Sequence, residues 1–134
     1  MPVTHHNIAG FPPPPPGSSH ASAATGGRII HISGQPGTDE HGNVVSGGLA
    51  AQTERAVRNV ALALEAAGAR PEDVVKTTFY VVDWEPEKLE ALVGGATAAR
   101  RELPFPDAAV TLIGVQRLFT PEMLVEVEAV AVVG

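Results

Sequence analysis

Cysteine is absent from this chain of 134 residues. Disulfide bonds, thiolate nucleophiles and cysteine-ligated zinc are therefore excluded. Basic residues are also few, because 9 Lys and Arg stand against 15 Asp and Glu and leave a formal net charge of −6. An acidic chain repels phosphate backbones, so we expect no nucleic-acid partner.

Long apolar runs and metal-binding patterns are missing as well. No run approaches the roughly 20 apolar residues that span a bilayer, and no basic segment followed by an apolar one stands at the start. We therefore expect no membrane partner and a cytoplasmic location. No two histidines have the i, i+4 helical spacing of a metal site, and neither Gly-Gly pair matches a phosphate-binding loop. We expect neither a metal nor a cofactor.

The first 27 residues predict an irregular segment. Five consecutive prolines at residues 12–16 force an extended backbone, because proline fixes φ and donates no backbone hydrogen bond. Such an arm is either a ligand for a protein that binds polyproline or a stiff surface segment, and the absence of flanking basic residues favours the second. We divide the chain into an arm at residues 1–19 and a domain at residues 20–134.

Strands and helices alternate along the rest of the chain. Apolar periodicity predicts one helix that follows Gly47-Gly48 and ends at Gly68, and a second that begins at Pro86. Strands are predicted at residues 28–33, 72–83, 108–117 and 123–132. This order favours a single α/β (α+β) domain, in which two helices pack on one face of a mixed sheet.

The last predicted strand has two different faces. One face is wholly apolar and belongs under the helices; it consists of Met123, Val125, Val127, Ala129 and Ala131. The other face combines apolar residues with two carboxylates; it consists of Leu124, Glu126, Glu128, Val130 and Val132. A face of this kind is too apolar to be exposed only to solvent. It therefore indicates a subunit interface with a polar cleft at its margin.

An ordered set of short motifs runs through the chain. The motifs are Ile32-Ser33-Gly34-Gln35, Ala51-Gln52, Asn59, Ala66-Ala67-Gly68, Asp73-Val74-Val75-Lys76-Thr77-Thr78 and Leu124-Val125-Glu126-Val127-Glu128-Ala129. In this order, the set resembles the Rid (YjgF) family. The resemblance runs from about His20 to the C-terminus. It implies a chorismate-mutase-like subunit and a homotrimer whose sheets line a central barrel, with small-molecule clefts between subunits. Many members hydrolyse enamines and imines, such as 2-aminoacrylate, to ketoacids and ammonia.

One departure from the family pattern concerns the substrate. Active members place an arginine at the start of the penultimate strand, where it grips the substrate carboxylate. Val110 takes that position here, and valine cannot form the bidentate contact. Leu112 follows on the same strand face, so we expect Val110 and Leu112 to form an apolar wall of the cleft. The sequence therefore predicts an atypical substrate.

Other cleft positions carry groups that could take part in catalysis. Glu126 matches the family glutamate that is taken to position the hydrolytic water, and Ser33 and Gly34 match the loop that faces the ligand. His20 stands where the family usually has a tyrosine, and is either a catalytic partner of Glu126 or an exposed arm residue. Beside the apolar wall we expect the pKa of Glu126 to rise through desolvation, which suits acid/base catalysis. For Glu128 we favour a structural role.

Two functions remain open at this point. The first is a Rid-type hydrolase or deaminase-like enzyme acting on an imine, an enamine or a related reactive metabolite. The second is a non-catalytic homologue that binds a small molecule in the same cleft. A ribonuclease role has little support from an acidic chain without a basic patch. Turnover on a panel of imines, enamines and esters separates the two.

Overall fold

The computed structural model describes residues 3–134, and within that range a four-stranded sheet carries two helices on one face. In chain order the strands are β1 (Thr4–His6), β2 (Ala21–Ala23), β3 (Arg28–Pro36), β4 (Val74–Val82), β5 (Ala109–Val115) and β6 (Val125–Val133). The helices are α1 (Gly48–Ala66), between β3 and β4, and α2 (Leu89–Arg100), between β4 and β5.

The sheet is mixed and has the order β3-β6-β4-β5. β6 is antiparallel to both of its neighbours, whereas β4 and β5 are parallel. Parallel neighbours need a crossover connection, and α2 supplies it between β4 and β5. The order of elements and the sheet with two helices on one face confirm the prediction. No helix within residues 3–134 is long and apolar enough to cross a membrane.

The core lies between the helices and one face of β6. Val125, Val127, Ala129 and Ala131 are each at most 2% exposed, and they alternate with half-buried residues as the strand pattern predicts. α1 contributes its own apolar stripe, which includes Ala56, Val57, Val60 and Leu64. Below, the inner face of the sheet is the face that packs on the helices, and the outer face is the opposite one.

Close packing of the two helices depends on one glycine of α2. A β-carbon on Gly95 would lie 2.3 Å from the carbonyl oxygen of Ala50 in α1, whereas one on Gly94 would meet no atom within 4 Å. Gly95 therefore lets the two backbones approach, and this contact compensates for the weak helix propensity of glycine.

The N-terminal segment is more ordered than the sequence predicts. β1 and β2 pair as antiparallel strands, with Thr4 opposite Ala23 and His6 opposite Ala21. The prolines at residues 12–16 cannot donate hydrogen bonds to a ladder, but the residues on either side of this loop can pair with each other. The prediction that the whole segment is irregular is therefore wrong. Met1 and Pro2 lie outside the described residues.

The C-terminal end of the arm is attached to the sheet edge at β5. The backbone N–H of Ser19 donates to Ala108 O at 3.3 Å, and its hydroxyl donates to Asp107 O at 2.7 Å. The N–H of Ala109 donates to Oγ of Ser22 at 2.7 Å. Residues 19–22 therefore cover the beginning of an otherwise unpaired edge strand.

Candidate functional site

A β-bulge brings Gly34 against the carboxylate of Glu126. The ladder between β3 and β6 pairs Ile32 with Ala129 and resumes with Gln35 opposite Val127, so β3 carries one extra residue. β3 therefore continues to Pro36, beyond residues 28–33, where the sequence predicts a strand. A β-carbon on Gly34 would lie 1.8 Å from Oε1 of Glu126. The carboxylate can rest on this backbone only because residue 34 has no side chain.

Glu126 lies on the outer face of the sheet in a half-buried position. Desolvation raises its pKa, and the charge of the neighbouring Glu128 carboxylate raises it further. Within residues 3–134 no Lys, Arg or His lies within ion-pair distance of Glu126. The pKa is shifted in the predicted direction. A carboxyl group of this kind can hold a proton nearer to neutral pH than an exposed one, as acid/base catalysis requires.

Tyr80 completes the polar group on the outer face. It lies opposite Glu126 in the β4–β6 ladder, and its hydroxyl donates a short hydrogen bond to Glu128. That hydrogen bond is the main cause of a raised pKa for Tyr80. We call Gly34, Tyr80, Glu126 and Glu128 the outer-face site. Sequence reasoning missed Tyr80, because strand alternation gives its face only once the register with β6 is known.

The structure does not place Val110 and Leu112 beside Glu126. Leu112 pairs with Phe79, and Phe79 pairs with Val127, which is buried beneath the helices. Val110 and Leu112 therefore point to the inner face, whereas Glu126 is on the outer face. Within one chain the predicted cleft wall does not adjoin Glu126, and a cleft formed between subunits stays a prediction. Alternation along β5 shows that the two residues share a face but not which face it is.

His20 is also remote from Glu126 within one chain. Its Nδ1 accepts a hydrogen bond from the N–H of Ile8 at 2.9 Å, and its side chain is exposed. Ser19, which precedes His20, pairs with Ala109 at the beginning of β5. Glu126 lies on β6 opposite Tyr80 of β4, and Tyr80 pairs in turn with Ile113, which is four residues further along β5 than Ala109. Four residues of strand span about 13 Å. The predicted pair of His20 and Glu126 does not form within one chain.

An apolar cavity of about 320 Å³ opens between the helices and the β5 edge. We call it the edge pocket. Its walls come from both helices and three strands and include Val57, Val60, Phe79, Leu92, Val110 and Leu112, and residues 15–18 of the arm form one side. The pocket is the space onto which the predicted wall residues, Val110 and Leu112, actually face.

A hydrogen-bonded clamp fixes the chain just beyond the bulge. The side-chain amide of Asn59 donates to Pro36 O at 3.0 Å and to Thr38 O at 2.9 Å. Arg55 donates from Nε to Oδ1 of Asn59 at 3.1 Å and to Thr38 O at 2.9 Å. α1 thereby holds the segment that presents Ser33 and Gly34. No group of three or more His, Asp or Glu side chains within residues 3–134 is arranged to hold a metal ion.

Two helices on one face of a mixed four-stranded sheet define an α+β protein, and the sequence defines its family. Residues 14–133 match the family model described as Endoribonuclease L-PSP. The chain belongs to this family, whose members include the proteins called YjgF or Rid. The resemblance inferred from the motifs is confirmed. The match begins at residue 14, within the segment predicted as an arm.

A solved relative and two curated ones illustrate the similarity. The Rid-family protein YyfB from Yersinia pestis is 38% identical with a TM-score of 0.88, over 99% of this chain and 100% of that one. A 2-iminobutanoate/2-iminopropanoate deaminase from Salmonella typhimurium is 31% identical over 79% of this chain and 80% of its own length. The human protein of that name is 46% identical over 42% of each chain. The chain matches about half or less of the length of most such curated relatives.

Proposed function

We propose that this protein hydrolyses an imine, an enamine or a related reactive small molecule, with Glu126 as the acid/base residue. The observation that carries the proposal is the Glu126 carboxylate, half-buried against Gly34, with a raised pKa and no cation within ion-pair distance in residues 3–134. The names of the Salmonella and human relatives support the reaction class.

The proposed chemistry needs one group that both accepts and returns a proton. Glu126 takes a proton from water as the water oxygen bonds to the carbon of the C=N group, and it passes that proton to the nitrogen, which gives a neutral carbinolamine. Glu126 then takes the hydroxyl proton as the C=O bond forms and the C–N bond breaks, and it gives this proton to the departing nitrogen, which leaves as ammonia. A raised pKa suits both directions of transfer. An enamine would first be protonated on carbon and would then follow the same course.

The active unit in this proposal is a homotrimer with clefts between subunits. Glu126 and the apolar pair Val110 and Leu112 lie on opposite faces of one sheet. A cleft that contains both therefore needs two copies of the chain. Ile29 and Ile113 are 65% and 40% exposed, and burial of such residues favours association.

A cytoplasmic location stays a prediction from the sequence.

The proposed substrate differs from a simple 2-iminoacid. Val110 offers no partner to a carboxylate. The arginine that lines the same pocket, Arg100, is already engaged, because its Nη2 lies 2.7 Å from Oδ1 of Asp107. A less anionic or bulkier substrate fits these surroundings better. If no such substrate is turned over, the second candidate function is that of a non-catalytic homologue that binds a metabolite. Val110 and the engaged Arg100 favour an uncharged metabolite in that case as well.

The experiment is an imine-hydrolysis assay on substrates generated in situ by an amino-acid oxidase. Glu126→Gln should lower turnover by about 100-fold or more. Glu65→Gln, an exposed carboxylate of α1, is the control and should leave turnover unchanged. Light scattering should give about three subunit masses for all three proteins. A Glu126→Gln protein with full turnover, or a stable monomer at micromolar concentration, would refute the proposal.

A further inference from the structure

We infer that Tyr80 is a positioning residue for the proposed hydrolysis, because its hydroxyl holds the negative charge on Glu128 and leaves the exchangeable proton to Glu126. The inference deepens the proposed function and rests on it. It explains why one of two similar carboxylates on the outer face would act in proton transfer and the other would not.

The Tyr80 side chain reaches diagonally across the ladder from one carboxylate to the other. Tyr80 of β4 lies opposite Glu126 of β6, whereas the residue opposite Glu128 is Thr78. The hydrogen bond that Glu128 accepts nevertheless comes from the Tyr80 hydroxyl. Diagonal neighbours of this kind are roughly 7–8 Å apart between α-carbons, a span that a tyrosine covers. Tyr80 therefore starts beside Glu126 and ends on Glu128.

The two carboxylates oppose each other's ionisation. Glu126 and Glu128 stand two residues apart on the same face of β6, and the charge of Glu128 is one of the causes of the raised pKa of Glu126. A hydroxyl donor stabilises the ionised form of the carboxyl group that it contacts. Because Tyr80 donates to Glu128, that carboxyl group ionises first, and the last proton of the pair stays on Glu126.

No other charged group on the neighbouring strands takes over this role. His31 of β3 and Lys76 of β4 both pair with Val130, two residues further along β6 than Glu128. The Lys76 ammonium donates to Oγ1 of Thr111, and β5 itself has no titratable side chain. Within residues 3–134 neither the histidine nor the lysine lies within ion-pair distance of either carboxylate. The proton of the pair is therefore governed by the two carboxylates and the phenol.

An unequal pair of this kind has the form that acid/base catalysis needs. Paired carboxyl groups whose surroundings separate their proton affinities take different roles in proton transfer. In the proposed hydrolysis Glu126 takes up a proton and returns it, while Glu128 keeps its charge throughout. Tyr80 contacts no reacting atom in this scheme and acts through Glu128 alone. Its hydroxyl stays protonated, because the hydrogen bond to Glu128 raises the pKa of Tyr80.

The test follows the titration of Glu126 in the full-length protein by carbon-detected NMR of labelled glutamate side chains. In the wild type Glu126 should titrate in one step, above the range of an exposed glutamate. In Tyr80→Phe the two carboxylates share the last proton, so the Glu126 curve should broaden into two steps and its midpoint should fall by about 0.5–1 pH unit. Thr78→Val also removes a hydroxyl from this face and should titrate as the wild type does. A Tyr80→Phe curve identical to that of the wild type would overturn the inference.

A double variant shows whether Tyr80 acts through Glu128. Glu128→Gln removes the neighbouring charge and should also lower the Glu126 midpoint, in this case with a single step. Adding Tyr80→Phe to Glu128→Gln should change nothing further. A second shift of equal size would mean that Tyr80 acts on Glu126 by another route, and the inference would be refuted.

The pH–rate profile connects the titration with turnover. With an imine substrate, the acidic limb of kcat/KM in Tyr80→Phe should move to lower pH together with the Glu126 midpoint. If the titration moves and the limb does not, Tyr80 does not serve the reaction and the inference fails. The proposed function has its own test, the loss of turnover in Glu126→Gln, so the two can fail separately.

Discussion

Replacing Gly34 with alanine moves the Glu126 carboxylate and tests whether its placement matters. The added β-carbon would lie 1.8 Å from Oε1, 2.6 Å from Cδ and 2.8 Å from Cγ of Glu126. Ordinary contact begins at 3.4 Å, so Oε1 must retreat by about 1.6 Å from its present place. Because all three atoms are too close, the whole carboxylate has to swing away from β3. Gly34 is not among the positive-φ residues, so alanine fits the backbone.

The expected effect on function is much larger than the effect on stability. A misplacement of about 1 Å can reduce a rate by about 100-fold, so turnover in Gly34→Ala should fall by at least that factor. Only the flexible end of one side chain has to move, so Tm should change by less than about 5 °C. Gly27→Ala is the matched control, because a β-carbon there meets no atom within 4 Å. It should retain full turnover.

A second readout makes the test independent of any substrate. Burial raises the pKa of Glu126, so a carboxylate driven into solvent should titrate closer to the ordinary glutamate pKa. Carbon-detected NMR of labelled glutamate side chains measures this titration in wild type and in both variants. If Gly34→Ala keeps wild-type turnover and an unchanged Glu126 titration, the carboxylate does not depend on the bulge, and our reasoning about the outer-face site fails.

Three further outcomes are expected. Because the folded-state pKa of Glu126 is raised, the folded protein binds the extra proton, and stability falls as pH rises from the unfolded-state pKa through the folded-state pKa. Denaturant titrations should therefore show Glu126→Gln gaining stability relative to wild type from pH 4 to pH 7; a constant difference contradicts the shift. Without an arginine at position 110, 2-iminoacid hydrolysis should be about 30- to 150-fold slower than in arginine-bearing relatives, and Val110→Arg should recover part of it. Wild-type rates equal to theirs would mean that another cation binds the carboxylate. Gly95→Ala should lower the free energy of unfolding by about 1–3 kcal/mol through the clash with Ala50, whereas Gly94→Ala should raise it by up to about 1 kcal/mol. Similar urea midpoints for the two would refute the close helix contact.

The parts of the fold that depend on short-range periodicity could be predicted from the sequence. The alternation of β6 separates Val125 and Val127 from Glu126, and the helical spacing in α1 selects Val57 and Val60 as buried. Each pattern lies within a single helix or strand and depends only on which side of that element is buried. Motifs in a fixed order identified the family for the same reason, because they require no knowledge of the contacts between elements.

The errors concern contacts between elements that are distant in sequence. Whether Val110 faces the helices depends on its pairing with β4, and a shift of one residue would reverse the face. Tyr80 joins Glu126 through a register that spans more than 40 residues. The pairing of β1 with β2 depends on a proline-rich loop, which by composition indicates irregular structure. Of the outer-face site, the sequence therefore predicted Gly34 and Glu126 as cleft residues and Glu128 on the same face, and it missed Tyr80.

The attachment of the arm to β5 has a consequence for the order in which the molecule folds. The hydrogen bond between Ser19 and Asp107 joins residues 88 positions apart, and the one between Ser22 and Ala109 joins residues 87 apart. Closing so long a loop is entropically unfavourable until the intervening chain is already compact. These hydrogen bonds between the arm and β5 should therefore form last in folding and open first. The amide hydrogens at this edge should exchange with solvent sooner than those of the central strand β6. Local opening along this edge would expose the beginning of β5, while the rest of the sheet stays intact.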